Sequence, residues 1–337
     1  MTTKIPKKII VSGIQPTGGL HLGNYIGAIR NYVRLQDEGR CFYFLADLHA
    51  ITQPHDPAAL HAHTREMAAA LIACGVDPNR AVLFNQARVP AHAELGWLLN
   101  CTARIGWLNR MTQFKDKAGK NREGMSVGLY AYPVLQTADV LLYQATHVPV
   151  GEDQKQHIEL IRDIAAKFHH DYADGVFTIP EPLIPTIGAR IMSLRDGTAK
   201  MSKSDPSEMS RINLTDSVDE IVNKIKKAKT DAEPLPSEPE GLAGRPEARN
   251  LVGIYAALSG TTEVAVLQQF GGQGFGTFKP ALADLVGSIF APITARFNEL
   301  RADPDMLDAI LVRGASQARE AAAPTLARAY QALGLDR

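Results

Sequence analysis

Two short stretches carry the residue types that phosphate chemistry needs. The first, Pro16-Thr17-Gly18-Gly19-Leu20-His21-Leu22-Gly23-Asn24, puts glycines, a hydroxyl, an imidazole and an amide into one turn. Glycines remove side chains so that backbone and ligand can approach closely, and a helix starting after them offers free N–H groups to an anion. The turn fits neither GxxxxGK[ST] nor GxGxxG, so its glycines alone are equally consistent with an ordinary strand-to-helix turn. The second stretch, Lys200-Met201-Ser202-Lys203-Ser204, lies in a polar loop near Gly197. Two ammonium groups with hydroxyls beside them suit a ligand whose negative charge grows during reaction, such as a leaving pyrophosphate. A solvated lysine loop has the same composition.

Other polar residues stand at positions where chemistry and architecture compete. Tyr132, Leu135, Gln136, Asp139 and Leu142 share one face at helical spacing, which places an acid on a mostly apolar stripe. A buried carboxylate needs donors, and pairing inside the core supplies them as readily as a ligand does. Glu152 and Asp153 follow an apolar run at a helix start, where the helix dipole favours acids in any case. Asp153 and His157 are spaced for a metal on a helix, but no third ligand is evident, so no metal site is expected. Asp47 and His49 end a strand and are assigned structural or peripheral roles. Lys224, Lys226, Lys227 and Lys229 make a basic turn, either a solvated face or a contact for nucleic-acid phosphates.

The elements that must position these groups follow from periodicity. Apolar runs at residues 8–12, 41–45, 81–84 and 146–150 read as strands. Helical patterns from residue 23, over 57–74, 91–102 and 133–143, and from 154 towards 170 alternate with them. The alternation predicts an α/β fold: a doubly wound, parallel, Rossmann-like sheet with helices on both faces. Its ligand belongs at the carboxyl ends of the strands, a rim that collects residues 15–24, 47–49 and 151–154. After the loop 196–205, segments 217–229, 246–259, 262–270 and 279–300 look helical, with a turn-rich stretch at 233–245 and a glycine-rich loop or hinge at 271–276. The expected division is a catalytic domain over 1–205, a smaller all-helical domain over 206–300, and helices over 301–337 that extend it or pack back on the first.

Composition narrows the functional classes. The chain has 337 residues, and its 36 Lys and Arg balance its 36 Asp and Glu. Zero net charge means that any nucleic acid is met by a local patch rather than by bulk attraction. Cys41, Cys74 and Cys101 sit in apolar context without a short pairing, which suits buried thiols in a reducing compartment. No apolar run is long enough to span a bilayer and no signal core opens the chain, so a soluble, cytoplasmic protein with no membrane partner is expected.

Taken together, Pro16 to Asn24 and Lys200 to Ser204 resemble the two signatures of class I aminoacyl-tRNA synthetases, in the family's order. His21-Leu22-Gly23-Asn24 departs from the usual HIGH form in its final asparagine. That asparagine, SGIQPTG and GNYIGAI around it, Arg110 to Lys117 and Gly151-Glu152-Asp153-Gln154 resemble the tryptophanyl branch, over nearly the whole chain. The resemblance implies ATP binding by Gln15, Pro16, Thr17, Gly23, Asn24, Gly151, Glu152, Asp153, Ile191 and Lys200, Met201, Ser202, Lys203 and Ser204. It makes Thr17, His21, Asn24, Lys200, Lys203 and Ser204 the catalytic set around the phosphates. It assigns Asp139 to the indole N–H of tryptophan, with Tyr132, Gln136, Val148 and Val150 as pocket walls. An indole N–H only donates, so a fixed carboxylate would favour tryptophan over phenylalanine. The partners implied are ATP with Mg2+ as a substrate complex, L-tryptophan, tRNA(Trp) and a second copy of the chain. The tyrosyl branch, an adenylyltransferase with an HxGH-type turn, and a catalytically silent RNA-binding relative remain as other readings.

Overall fold

Strands covered on both faces are unbroken apolar runs, and the stretch from Gly39 to Leu45 is one, buried everywhere except at Arg40. The computed structural model describes residues 8–111, 124–151, 155–184 and 190–335. In it β1 (Lys8–Ile14), β2 (Gly39–Leu45), β3 (Ala81–Asn85), β4 (His147–Pro149) and β5 (Glu181–Leu183) pair in parallel, in the order β3-β2-β1-β4-β5. Ile10 stands opposite Cys41 on one side and His147 on the other. Chain order therefore reverses between β1 and β4, the crevice where such sheets take their ligands.

The first helices are α1 (Leu22–Asn24), a π-helical turn (Tyr25–Ile29) and α2 (Arg30–Leu35), followed by α3 (Asp47–Ala50), α4 (Pro57–Ala73), α5 (Ala91–Asn100) and α6 (Ile105–Leu108). Then come α7 (Val127–Leu141) and α8 (Lys155–Asp171). Beyond residue 205 lie α9 (Val218–Lys226), α10 (Pro246–Ser259), α11 (Glu263–Phe270), α12 (Phe275–Arg301) and α13 (Pro304–Ala332). Strand alternation sends Ile10, Cys41, Tyr43 and Leu83 to one face of the sheet and Val11, Phe42, Phe44 and Phe84 to the other. The first face shares a continuous apolar cluster with α4 and with Leu251, Phe278 and Phe290 of the later helices. The second packs on α5, α7 and α8.

The last helix, α13, crosses the β3 edge. A side chain at Gly314 would bring its first carbon to 1.9 Å from the Leu83 carbonyl oxygen, so only glycine permits this approach. No single helix among the described residues is long and apolar enough to cross a membrane.

Several local expectations change. Helix α7 starts at Val127 rather than at residue 133, because Ser126 caps it by accepting the Leu129 N–H at 3.1 Å, and Pro133 rides inside the helix. Strand β5 was not expected, being three residues long with a proline at its centre. Helix α12 begins inside the glycine cluster, with Gly274 at its N-cap. Cys41 and Cys74 are buried, but Cys101 is exposed at the end of α5. The basic turn is smaller than its sequence suggests: Lys224 is buried in an ion pair with Asp216, and Lys229 pairs with Glu247. Lys226 and Lys227 remain exposed.

Candidate active site

A cavity of about 430 Å3 opens at the β1/β4 switch point. Ser12 and Gly13 of β1 and Val148 and Pro149 of β4 form its floor, continued by Val150 and Gly151. The π-helical turn and α2 bring Gly27 and Asn31 to one side, and α7 brings Tyr132, Gln136 and Asp139 to the other. All five residues expected at an amino-acid pocket therefore line one cavity, and Gln15 lines it too.

Asp139 is fully buried. Its Oδ1 accepts from Gln86 Nε2 at 2.6 Å and pairs with His92 Nδ1 at 2.6 Å, while His49 Nε2 lies 2.7 Å from Oδ2. An ionised carboxylate only accepts, so both facing ring nitrogens carry protons. The other nitrogen of His92, Nε2, lies 2.7 Å from the Tyr143 hydroxyl. Burial alone would raise the Asp139 carboxyl, but the charge and hydrogen bonds of His49 and His92 outweigh it and hold the group at about 2. A carboxylate offers about four acceptor positions. Three are filled from the protein, and the remaining one lies on Oδ2, in a residue that lines the cavity.

The glycine-rich turn leaves β1 at the same rim. Gly18 adopts φ +76°, a left-handed conformation that favours glycine, and the ring of His63 on α4 would meet any side chain there at 2.9 Å. Asn24 Oδ1 accepts the His21 N–H at 3.1 Å, closing the first turn of α1. This caps the helix, so the asparagine of the HLGN motif has a local structural task. A side chain at Gly23 would lie 3.1 Å from the His21 imidazole and 3.6 Å from Ile191, so glycine is what lets the ring rest against the helix start. The imidazole is buried, and its Nδ1 has no partner among the described residues. Burial, followed by the positive charges of Arg211, Lys200 and Lys203, lowers its pKa to about 4, so it is neutral at pH 7.

The lysine loop is the end of a hairpin. Met192 bridges Lys200, the Ser193 N–H donates to the Ala199 carbonyl at 2.8 Å, and the Met201 N–H donates to the Ile191 carbonyl at 3.0 Å. Met201 is buried as the anchor, whereas Lys200, Lys203 and Ser204 are exposed. Ser202 Oγ and Ser204 Oγ lie 2.8 Å apart. Asn250 of α10 brackets the base of the hairpin, accepting the Met192 N–H and donating to the Met192 carbonyl, both at 2.9 Å. Lys203 Nζ reaches across to donate to the Thr17 carbonyl. The two motifs, 186 residues apart in the chain, thus face each other directly. A short antiparallel pairing holds them in place: the Leu22 N–H donates to Ile212 and the Leu214 N–H to Leu20, both at 2.8 Å.

Pro16 and Thr17 line a smaller recess next to the main cavity. Glu152 and Asp153 lie outside the described residues, as do Gln154 and residues 112–117 of the other quoted motif. His157 lies 3.1 Å from the Tyr132 hydroxyl. Asp47 accepts the Leu48 and Ala87 N–H groups at 3.0 and 2.8 Å and the Asn85 amide at 3.0 Å, so it ties β3 to α3. Of the structural or peripheral roles expected for His49, it takes the structural one. It is a direct partner of Asp139, and Gln86 and His92 were missed altogether. Gln86 and His92 follow the carboxyl end of β3, on the rim that the fold class singles out. Among the described residues no cluster of His, Cys, Asp and Glu can hold a metal ion.

The comparisons with known proteins agree with this geometry. The family model described as "tRNA synthetases class I (W and Y)" matches residues 5–291. A tryptophan–tRNA ligase of Caulobacter vibrioides is 62% identical over 326 residues, covering 96% of this chain and 95% of its own. The crystal structure of Campylobacter jejuni tryptophanyl-tRNA synthetase, complexed with ADP and tryptophan, is 35% identical with a TM-score of 0.80, over 97% of this chain and 100% of that one. The Mycoplasma pneumoniae tryptophanyl-tRNA synthetase is 32% identical with a TM-score of 0.86, over 98% of each chain. A parallel sheet with its cavity at the switch point, two facing phosphate motifs and relatives matched end to end lead to one assignment: the chain belongs to the class I tRNA synthetases for tryptophan and tyrosine, within them to the tryptophan–tRNA ligases.

Proposed function

We infer that the chain activates L-tryptophan with ATP and then transfers it to tRNA(Trp). The tryptophan carboxylate attacks the α-phosphorus of ATP in line, the bond to the β-phosphate oxygen breaks, and pyrophosphate leaves. A terminal ribose hydroxyl of the tRNA next displaces AMP from the carbonyl carbon. The attacking carboxylate is already ionised, so the protein's contribution is position and charge stabilisation. ATP brings Mg2+ with it as a substrate complex.

One observation carries the reading of the pocket: Asp139, with three hydrogen-bond partners against about four acceptor positions, lines a cavity that continues through Gln15 to the phosphate turn. An indole N–H donated there seats the ring between Tyr132, Gln136, Val148 and Val150 and carries the carboxylate towards Gln15. Thr17, neutral His21 and the Asn24 amide meet the phosphates from one side; Lys200, Lys203 and Ser204 meet them from the other. The main chain at Gly151 and Ile191 supports the adenosine, with Glu152 and Asp153 at its ribose.

A tyrosine hydroxyl also donates to a carboxylate, so the tyrosyl reading is separated by experiment. Pyrophosphate exchange into ATP is measured with each amino acid in turn. Tryptophan is expected to support it with tyrosine and phenylalanine inactive, and exchange driven by tyrosine would reverse the specificity.

The helices after residue 205, with exposed Lys226 and Lys227, are the part we assign to the tRNA body. A homodimer is part of the same reading. Trp97 on α5, Ile105 on α6 and Val127 on α7 are 70%, 71% and 80% exposed on helices that pack together, an apolar surface suited to a second copy. We assign the protein to the cytoplasm, a compartment that holds both ATP and tRNA.

A further inference from the structure

We propose that Arg211 is the strut that sets how closely the lysine loop approaches the glycine-rich turn, and so acts as a positioning residue for adenylate formation. The assignment rests on the ligase reading above and adds to it a residue outside both motifs. Arg211 is 8% exposed, and its fork is divided between the two ends of one segment. Nη1 donates to the Asp205 carbonyl at 2.9 Å and to the Ser207 carbonyl at 3.4 Å, directly after the lysine run that ends at Ser204. Nε donates to Asn213 Oδ1 at 3.1 Å, and Asn213 bridges His21 in the short antiparallel pairing. One side chain therefore links the exit of the lysine loop to the residue paired with the other motif.

The Asn213 end is a fixed post. Asp216 accepts the Asn213 N–H at 2.8 Å and pairs with the buried Lys224 of α9, and the Leu214 carbonyl accepts from Thr294 of α12 at 2.7 Å. The other end leads to the exposed Lys203 and Ser204. A planar guanidinium holds several acceptors in one geometry, which the point charge of a lysine does not. Nη2 donates to Glu208, an exposed carboxylate that also accepts the Asn213 amide at 3.1 Å. An arginine serving only a surface ion pair would add little and would need no reach to Asn213.

The proximity of the strut to the turn is felt by the imidazole: after burial, the charge of Arg211 acts more strongly than those of Lys200 and Lys203 in lowering His21. Lys203 reaches the Thr17 carbonyl across the gap that the strut defines. A displacement of about 1 Å in a charge that must meet the departing pyrophosphate costs on the order of a hundredfold in rate. The length of the strut is therefore expected to matter to the reaction more than to the fold.

The test is a double-mutant cycle in the full chain. Arg211→Gln is expected to form adenylate about tenfold to a hundredfold more slowly in a single turnover at saturating ATP and tryptophan, with tryptophan affinity within about twofold of the parent. If Arg211 acts by placing Lys203, its loss costs nothing further once that ammonium is gone. Arg211→Gln combined with Lys203→Ala should therefore fall within about threefold of Lys203→Ala alone, whereas a merely structural role would make the two losses multiply. Arg211→Lys keeps the charge without the fork and is expected to remain slower than the parent by about fivefold or more. Unchanged adenylate formation in Arg211→Gln, multiplying losses in the double variant, or a lysine variant as fast as the parent would each overturn the proposal. Should Arg211→Gln fail to fold, the same cycle run with Arg211→Lys decides. Absence of tryptophan-dependent exchange in the parent protein is a separate result, which removes the ligase reading itself.

Discussion

The pocket proposed for the amino acid and the clamp proposed for the phosphates meet at Gln15, yet they are built in opposite ways. The pocket is wired from within. Asp139 is fully buried and held by Gln86, His92 and His49, which come from two other parts of the chain. The clamp sets exposed lysines opposite a turn that holds the buried His21, and its two segments are joined by a lysine on a backbone carbonyl and a short bridge. A rigid, prepaid set of hydrogen bonds suits discrimination between amino acids. A solvent-facing pair of ammonium groups on a hairpin suits charge that appears only during reaction.

The contrast is broken most severely at the centre of the pocket. Asp139→Ala strands three buried donors, and the fold is expected to lose about 3–5 kcal/mol, whereas Lys203→Ala should stay within about 0.5 kcal/mol of the parent. Urea unfolding of the two variants reads the difference directly, and similar midpoints would show that the pocket is not wired as described. Asp139→Asn keeps the volume and retains an acceptor. It is expected to weaken tryptophan binding about tenfold to a hundredfold, in calorimetry, with ATP binding retained.

Gly23→Ala sharpens the contrast from the clamp side. The added carbon meets the His21 ring at 3.1 Å, so the imidazole must shift. Exchange should slow about tenfold with tryptophan affinity unaltered. Lost tryptophan affinity in this variant would mean that the two regions are not separable.

The smallest effect is in the titration of His21. Its pKa is lowered to about 4 in the fold, against an ordinary value of 6.5. The unfolded chain therefore takes up the proton first, so this contribution to stability is complete above about pH 6.5 and is lost as pH falls towards about 4. A proton NMR titration should find the midpoint near the low value, and pyrophosphate should move it upward because an anion favours the imidazolium. A midpoint unmoved by pyrophosphate would place the anion elsewhere.

The same contrast explains what the sequence could reveal. The two facing motifs were legible because each is a contiguous run of distinctive residue types, and the fold class was legible because strands buried on both faces are unbroken apolar runs. Of the residues that line the switch-point cavity, the helical face from Tyr132 to Asp139 was readable from spacing, and Val148 and Val150 were named only through the family resemblance. The donors to Asp139 were not. Gln86, His92 and His49 reach it from 53, 47 and 90 residues away, and separation along the chain leaves no local pattern. His49 stood on the expected rim with a structural or peripheral role, and nothing in its local sequence named Asp139 as its partner. The role of Asn24 as the cap of its own helix start was also hidden, because it depends on the turn that Gly23 permits. Helix α7 was misplaced at its start for a related reason: the serine cap at Ser126 outweighs the usual first-turn preference of Pro133.

The central claim is that selection and activation reside in separate regions. It is tested most directly by measuring tryptophan affinity and single-turnover adenylate formation at saturating tryptophan in Lys203→Ala and Asp139→Asn side by side. The account predicts a crossed pattern: Lys203→Ala binds tryptophan within about twofold of the parent but forms adenylate about a hundredfold to a thousandfold more slowly, and Asp139→Asn does the reverse. Losses of both properties in parallel, in either variant, would contradict it.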